Sequence, residues 1–584
     1  MAAANSVHID GGRQAPSHPH PPTPQLELDR SLARVRERAR EFARLPVSAK
    51  IELLRDVRRC TRDVAADWVA AACRAKGLEF EAPIAGEEWI TGPVFLERNV
   101  RFLIRALVEI GTNGAPVLPA RWQRDLPHGA LAVRVSPYDS FDAAIFAGFT
   151  AETWLKPEVD RRNLRDRQAP FYKRKDPEGA VSLVLGAGNI AALSPVDVMH
   201  MMFSEGAVCV LKPNPVNDYL GPYLERALRP LIQKDYLAIV YGGAEVGFYL
   251  CHHAAVDRVH VTGSVQTHDA IVWGASESER ADRKKRNDPI LRKPITSELG
   301  NISPVIVVPG AYSEDEFANM GENIAGMITH NASFNCNAAK LLVLPNRWNR
   351  RDALLKSIET ALAKVPPRKA YYPGAFERYA ILTAERRDVR AIGKASDGAL
   401  PWTLVLGLQE EASEKHFSME PFCSVLSEVS VGSSDPFEFM NAAVRFVNER
   451  VWGTLNSMLF VHPGFEKDTA GSAAVHETIR DLRYGTVGVN VWPALGYALC
   501  SPPWGGHPSS TLADVQSGMG WVNNTVMLAG IEKAVVRGPI KAVPKPIYYP
   551  SHKTIHTLGR RLANFEASPS WLKMPGLALA AFSG

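Results

Sequence analysis

The sequence predicts an α/β fold built on mostly parallel sheets, and three observations predict it. Short apolar runs alternate with helical stretches from about Gly179: AVSLVLG, AVCVLKP, LAIVYGG, RVHVTGS, then SPVIVVP and KLLVLP. A second group, FCSVLSEVSV, SMLFVHP and GTVGVNV, surrounds the helical stretch DPFEFMNAAVRFVNER. Helix-start signals sit between the runs. Ser194-Pro195-Val196-Asp197 reads as an N-cap, a proline at the first helical position and a first-turn acid. Ser313-Glu314-Asp315-Glu316 reads as a capping box.

At 584 residues and 46% hydrophobic, the chain is long enough for two or more cores. In chain order, residues 1–25 contain APSHPHPPTP and read as a disordered leader. Two amphipathic helices follow to about Leu78, with the break at Pro46 and Ser48. The first α/β unit is expected over 26–299, the second over 300–515, and a late strand with a docked C-terminal arm over 516–584. A charged insertion spans 275–297, and its run Arg283 to Arg286 reads as a solvated loop.

The net charge of +5 arises from 67 basic and 62 acidic residues, too balanced for a nucleic-acid or anionic-membrane partner. Seven cysteines without a C-x-x-C pair suit a reducing compartment. With neither a basic, apolar leader nor about 18 consecutive apolar residues, a cytoplasmic protein without a membrane partner is expected. The group His252, His253, Asp257 and His260 lacks ligand-like spacing, so no metal site is expected.

Cys336 stands out in HNASFNCNAAKLLVLP. A structural thiol packs as a small hydrophobe, yet this one lies between Asn335 and Asn337. Upstream, the strand VSLVLG runs into Gly186-Ala187-Gly188-Asn189-Ile190-Ala191, which formally matches a dinucleotide fingerprint. The acid that such a site wants after the second strand is replaced by Leu211-Lys212-Pro213-Asn214-Pro215, and lysine suits phosphate or ribose oxygens. Thr262-Gly263-Ser264 offers backbone N–H groups near a helix start.

Taken in order, GAGN, LKPNP, VTGS, TSELGNISPVIVV, NASFNCNAAKLLV, EPFCSVL, GTVGVNV and PPWGG resemble the motif series of the aldehyde dehydrogenase superfamily over roughly residues 30–540. The resemblance implies a parallel-sheet cofactor domain, an α/β catalytic domain and a small oligomerisation element, with a bridging hairpin near 158–178 pairing with EKAVVRGPI in a homodimer or homotetramer. It implies Cys336 as nucleophile, Glu298 as general base, and Asn189 with the Cys336 backbone N–H as oxyanion hole. The cofactor, NAD or NADP, would meet Gly188, Lys212, Asn214, Gly263, Ser264, Glu420 and Phe422. The implied reaction is oxidation of a small-molecule aldehyde to a carboxylic acid. The chemistry needs these types: a thiol of pKa about 8.5 requires a base or dipole to attack, and each oxyanion donor is worth roughly 10²- to 10³-fold in rate.

Several positions depart from the family's motifs. Gly188 stands where tryptophan is usual, which is expected to open space. His268 lies near the place of a glycine, Ser333-Phe334 replaces glycine-glutamine, and Cys423-Ser424 replaces glycine-proline, which would bring a second thiol near the site. Pro215 replaces the acid that would accept the ribose 2'-hydroxyl, leaving NAD and NADP both open. Trp452, Trp492, Tyr497 and Trp504 are candidates for an apolar funnel. Two rival readings remain: a CoA-acylating dehydrogenase, against which Glu298 argues, and a homologue that binds nucleotide without turnover.

Overall fold

The computed structural model describes residues 20–412 and 414–584, so the expected leader lies, over residues 1–19, outside the described residues. The chain opens on two helices, Gln25–Arg44 and Val47–Lys76. Pro46 lacks the N–H to continue the first and opens the second. Leu28, Leu32, Val35, Ala39 and Phe42 recur at three- and four-residue steps and all are buried. With Leu54, Val57 and Trp68 of the second helix they share one core with the strand Val181–Leu185.

Among the described residues, that strand lies in a six-stranded sheet ordered Gly518–Met519, Ile295–Leu299, Arg258–Gly263, Val181–Leu185, Val208–Lys212, Leu237–Ile239. All neighbours are parallel except the short Gly518–Met519 edge. The strands are apolar almost throughout because helices cover both faces. The following helix spans Leu193–Met199, starting before Ser194, so that serine is not its N-cap. Its hydroxyl instead lies 2.1 Å from where a Cβ on Gly186 would sit, and the glycine turn admits this close approach.

From Ile295–Leu299 the chain crosses through Gly300–Ser303 into an eleven-stranded sheet that starts again at Pro304–Val307. Its centre is parallel: Thr486–Val489, Asn456–Phe460, Pro304–Val307, Leu341–Pro345 and Val425–Val431. The helix Glu314–Thr329, opened by the Ser313–Glu316 capping box, runs toward Cys336.

Two expectations are corrected. Residues 158–178 hold short 3₁₀ turns and no hairpin. The stretch EVDRRNLRDRQAPFYKRKDPE is too charged and proline-broken to form strands, and its pairing is the isolated bridge of Gln168 to Leu528. The strands lie earlier, at Leu131–Ser136 and Thr150–Leu155, and the second pairs antiparallel with Ile531–Arg537. The late strand pairs on its other side with Thr486–Val489 of the same chain. The basic run Arg283 to Arg286 is also no loop, for it closes the helix Glu277–Arg286, in which no residue is buried. None of the described helices is long and apolar enough to cross a membrane.

The C-terminal arm carries the helices Ile555–Ala567 and Met574–Phe582. Glu566 fastens it: its carboxylate accepts from Arg98 at 3.0 Å and Arg101 at 2.6 Å, and both arginines also meet Asp142. All four side chains are buried. Removing one partner from such a cluster leaves uncompensated charge and costs about 3–5 kcal/mol. Glu566→Ala is therefore expected to loosen the arm, read as faster hydrogen exchange across 555–582; unchanged protection would contradict this.

Candidate active site

Three consecutive non-glycine residues, Asn331, Ala332 and Ser333, stand at φ of 51°, 52° and 70° just ahead of Cys336. Left-handed backbone costs roughly 1 kcal/mol or more per residue away from glycine or asparagine, so this turn exists only because its surroundings hold it. Asn331 is the hub. Its backbone N–H donates to Glu87 at 3.0 Å. Its side-chain oxygen accepts from Lys76 Nζ at 3.0 Å and from the Tyr371 hydroxyl at 2.9 Å. Its amide reaches the carbonyls of Asn189 and Phe334, at 3.1 and 3.0 Å. Lys76, buried on the second helix, also pairs with Glu88 at 2.8 Å and reaches the Asn189 carbonyl at 3.3 Å.

The turn delivers Cys336 Sγ to Glu298 Oε1 at 3.2 Å. Cys336 is the one cysteine of the seven that is not fully buried by exposure. Burial pushes the Glu298 carboxyl up to about 7, and the Asp197 charge adds to the effect. Burial first and the Glu298 carboxylate second push the thiol well above its ordinary range. Thiol and carboxylate thus share a proton that rests on sulfur. Asn189 spends one N–H of its amide on the Phe334 carbonyl at 2.9 Å, which leaves the second for a ligand. The backbone N–H of Cys336 has no acceptor among the described residues. Asn189, Glu298 and Cys336 line one cavity of about 390 Å³.

The expected cofactor positions gather at the carboxyl ends of the six-stranded sheet, where open α/β sheets bind ligands. Strand register pairs Leu185 with Lys212, and Thr262 and Gly263 with Glu298 and Leu299, which puts all these ends on one edge. Lys212 is buried, its ammonium reaches only the Pro213 carbonyl at 3.3 Å among the described residues, and burial lowers its pKa to about 8. A buried amine so poorly satisfied fits ribose or phosphate oxygens. A Cβ on Gly263 would meet only Val261 Cγ2, at 3.9 Å, and Ser264 caps the helix Val265–Trp273. On the facing side, Glu420 is held by Lys340 at 2.6 Å and the Asn301 N–H at 3.1 Å. It packs so near Gly300 that a Cβ there would fall 1.9 Å from its carboxylate. Phe422 lies against Phe334 and Tyr372. These groups fit a nucleotide with ribose hydroxyls and an aromatic ring.

Three expectations change. Gly188 opens no space: a Cβ there would lie 2.7 Å from Asn214 Oδ1 and 3.1 Å from the Tyr372 hydroxyl, so those two side chains fill the room. Cys423 is a fully buried core thiol, its pKa raised to about 12 by burial, and it does not line the cavity. Trp492, Tyr497 and Trp504 line the cavity, whereas Trp452 does not. His268 is fully buried beside Asp269. Sequence reasoning missed Lys76, Glu87, Glu88, Lys340 and Tyr371. Only Lys340, four residues past Cys336, carried a local hint.

Residues 139–374 match the model of the aldehyde dehydrogenase family. The chain is 31% identical over 198 residues, 33% of its length, to 4-trimethylaminobutyraldehyde dehydrogenase A of Danio rerio. That match spans about a third (34%) of the relative's own length. In fold it is similar to the NADP-dependent glyceraldehyde-3-phosphate dehydrogenase of Bacillus halodurans C-125 complexed with NADP (TM-score 0.60, 16% identity, 88% of this chain and 92% of that one). It is likewise similar to the NAD-dependent aldehyde dehydrogenase of Sinorhizobium meliloti (TM-score 0.58, 17% identity, 90% and 89%).

Lys76→Met strips the partner from buried Glu88 and is expected to cost about 3–5 kcal/mol in denaturant unfolding. The double change Lys76→Met with Glu88→Leu should recover much of that. A single change that unfolds at the wild-type midpoint would contradict the hub.

Proposed function

We propose, for a chain that belongs to the aldehyde dehydrogenase superfamily, oxidation of an aldehyde to a carboxylic acid with NAD or NADP, through covalent chemistry at Cys336. The observation that carries the reading is the 3.2 Å contact between the Cys336 thiol and the Glu298 carboxylate inside the cavity.

Each chain group has a task in this reading. Glu298 takes the thiol proton as sulfur attacks the aldehyde carbon, and its raised pKa makes it a base matched to neutral pH. The new oxyanion receives the free N–H of the Asn189 amide and the unpaired backbone N–H of Cys336. Lys212 and Glu420 would hold a nicotinamide cofactor, which when bound would supply the hydride acceptor. The product on the chain is a Cys336 thioester. Glu298 first passes the thiol's proton to solvent, then takes one from the attacking water as its oxygen adds to the thioester carbon; the C–S bond breaks, the acid leaves and the thiolate recovers a proton from Glu298.

Lys212, Gly263 and Ser264 are the positions for the cofactor's ribose and phosphates, and Glu420 with Lys340 for the nicotinamide ribose. Pro215 offers no carboxylate to reject a 2'-phosphate, so both cofactors belong in the assay.

Cys336→Ala should remove activity by at least about 10³-fold, and Glu298→Gln should leave at most one turnover per site. Since the base form of Glu298 is required, kcat/KM should rise with pH through about 7 and fall off below it. The check is NADH and NADPH formation over pH 5 to 9. Full turnover in Glu298→Gln, or CoA-dependent product release, would sink hydrolysis by Glu298.

A further inference from the structure

The cavity that ends at Cys336 is lined mostly by apolar side chains. Its apolar lining includes Ile190, Val491, Trp492, Leu495 and Trp504. The C-terminal arm adds Ile547, Leu558, Leu562, Leu577 and Ala581. The arm side chains form a small core of their own with Phe141 and Ile145, so this wall is packed and not a loose tail. The charged side chains bordering the cavity are already engaged. Arg98 and Glu566 bond each other at 3.0 Å, Arg98 also holds Asp142, and Glu566 also holds Arg101. Glu298 is taken by the thiol, and Lys545 reaches the carbonyls of Ser551 and Gly584.

A charged substrate tail entering this space would lose its water against ion pairs that are already made, and the hydroxyl of Tyr497, which has no partner among the described residues, offers it no counter-charge. An aliphatic tail gains about fourfold in affinity for each methylene buried. We infer that the cavity takes an aldehyde with a long, uncharged aliphatic chain, its carbonyl at Cys336 and its tail against the C-terminal arm. This rests on the aldehyde-oxidising reading and adds the substrate class to it. It also separates this chain from the relative named for 4-trimethylaminobutyraldehyde, whose name specifies a cationic tail.

The test is kcat/KM for propanal, hexanal, decanal and 4-trimethylaminobutyraldehyde with NAD and with NADP. Calorimetric binding of decanoic and hexanoic acids to the same protein runs beside it. Expected is a rise of at least about 100-fold from propanal to decanal, with the trimethylammonium aldehyde no better than propanal. Ala581→Trp, which fills the arm end, should lower the decanal-to-propanal ratio at least tenfold. A flat or falling series, or a preference for the cationic aldehyde, overturns the inference while aldehyde oxidation stands. If no aldehyde turns over yet decanoic acid binds at least tenfold tighter than hexanoic acid, the cavity assignment stands and the reaction falls. Silence in both assays overturns both.

Discussion

Everything at this site depends on one strained turn. Asn331, Ala332 and Ser333 hold left-handed backbone without a glycine among them, and the turn aims Cys336 at Glu298. Such geometry persists only when neighbours determine it more strongly than local preference does. Here they come from three parts of the chain: Lys76, Glu87 and Glu88 near the N-terminus, Asn189 in the turn after the strand Val181–Leu185, and Tyr371 in the second half. Because Lys76 and Asn331 both grip the Asn189 carbonyl, Cys336 and Asn189 are placed by one network. The two sheets are thus locked together at the point where the chemistry would occur.

The electrostatics follow from the same enclosure. A thiol in low dielectric holds its proton more firmly, and so does a carboxylate. Placed 3.2 Å apart, they pass one proton between them instead of each exchanging with water. Burial therefore suppresses a standing thiolate, which would oxidise, and yields one as the base accepts the proton. The other six cysteines are deeper and lack such a base among their hydrogen-bond partners. This answers why a cysteine stands between asparagines. Asn335 braces the turn through His330, and the Asn337 carbonyl accepts the Trp492 indole at 2.7 Å, tying the turn to the cavity wall.

Much of the fold was legible because its strands are short apolar runs and its helices carry strong caps, so local pattern and tertiary burial agree. The parallel sheets at Val181–Leu185, Arg258–Gly263 and Leu341–Pro345 read directly from the chain. The hairpin did not, because ALAVRVS and TAETWL are brief and partly charged, and pairing with each other and of the second with Ile531–Arg537 makes them strands. That Cys336, Glu298 and Asn189 would meet was legible through ordered motifs, and they line one cavity. Lys76 was invisible, since a lysine on an amphipathic helix ordinarily faces water and nothing local announces a buried partner 255 residues away. The filling of the space beside Gly188 by Asn214 and Tyr372 required knowing which loops meet. The apolar character of the arm was readable in LALAAF, but its place along the cavity was not.

The central claim is that Glu298 controls the proton on Cys336. The most direct measurement is the rate of Cys336 alkylation by iodoacetamide against pH, read by peptide mass spectrometry in the wild type and in Glu298→Gln. The account predicts that the wild-type rate follows a titration near pH 7 and that this step vanishes in Glu298→Gln, leaving only the rise of a buried thiol at high pH. Matching rates and matching profiles in the two proteins would contradict it.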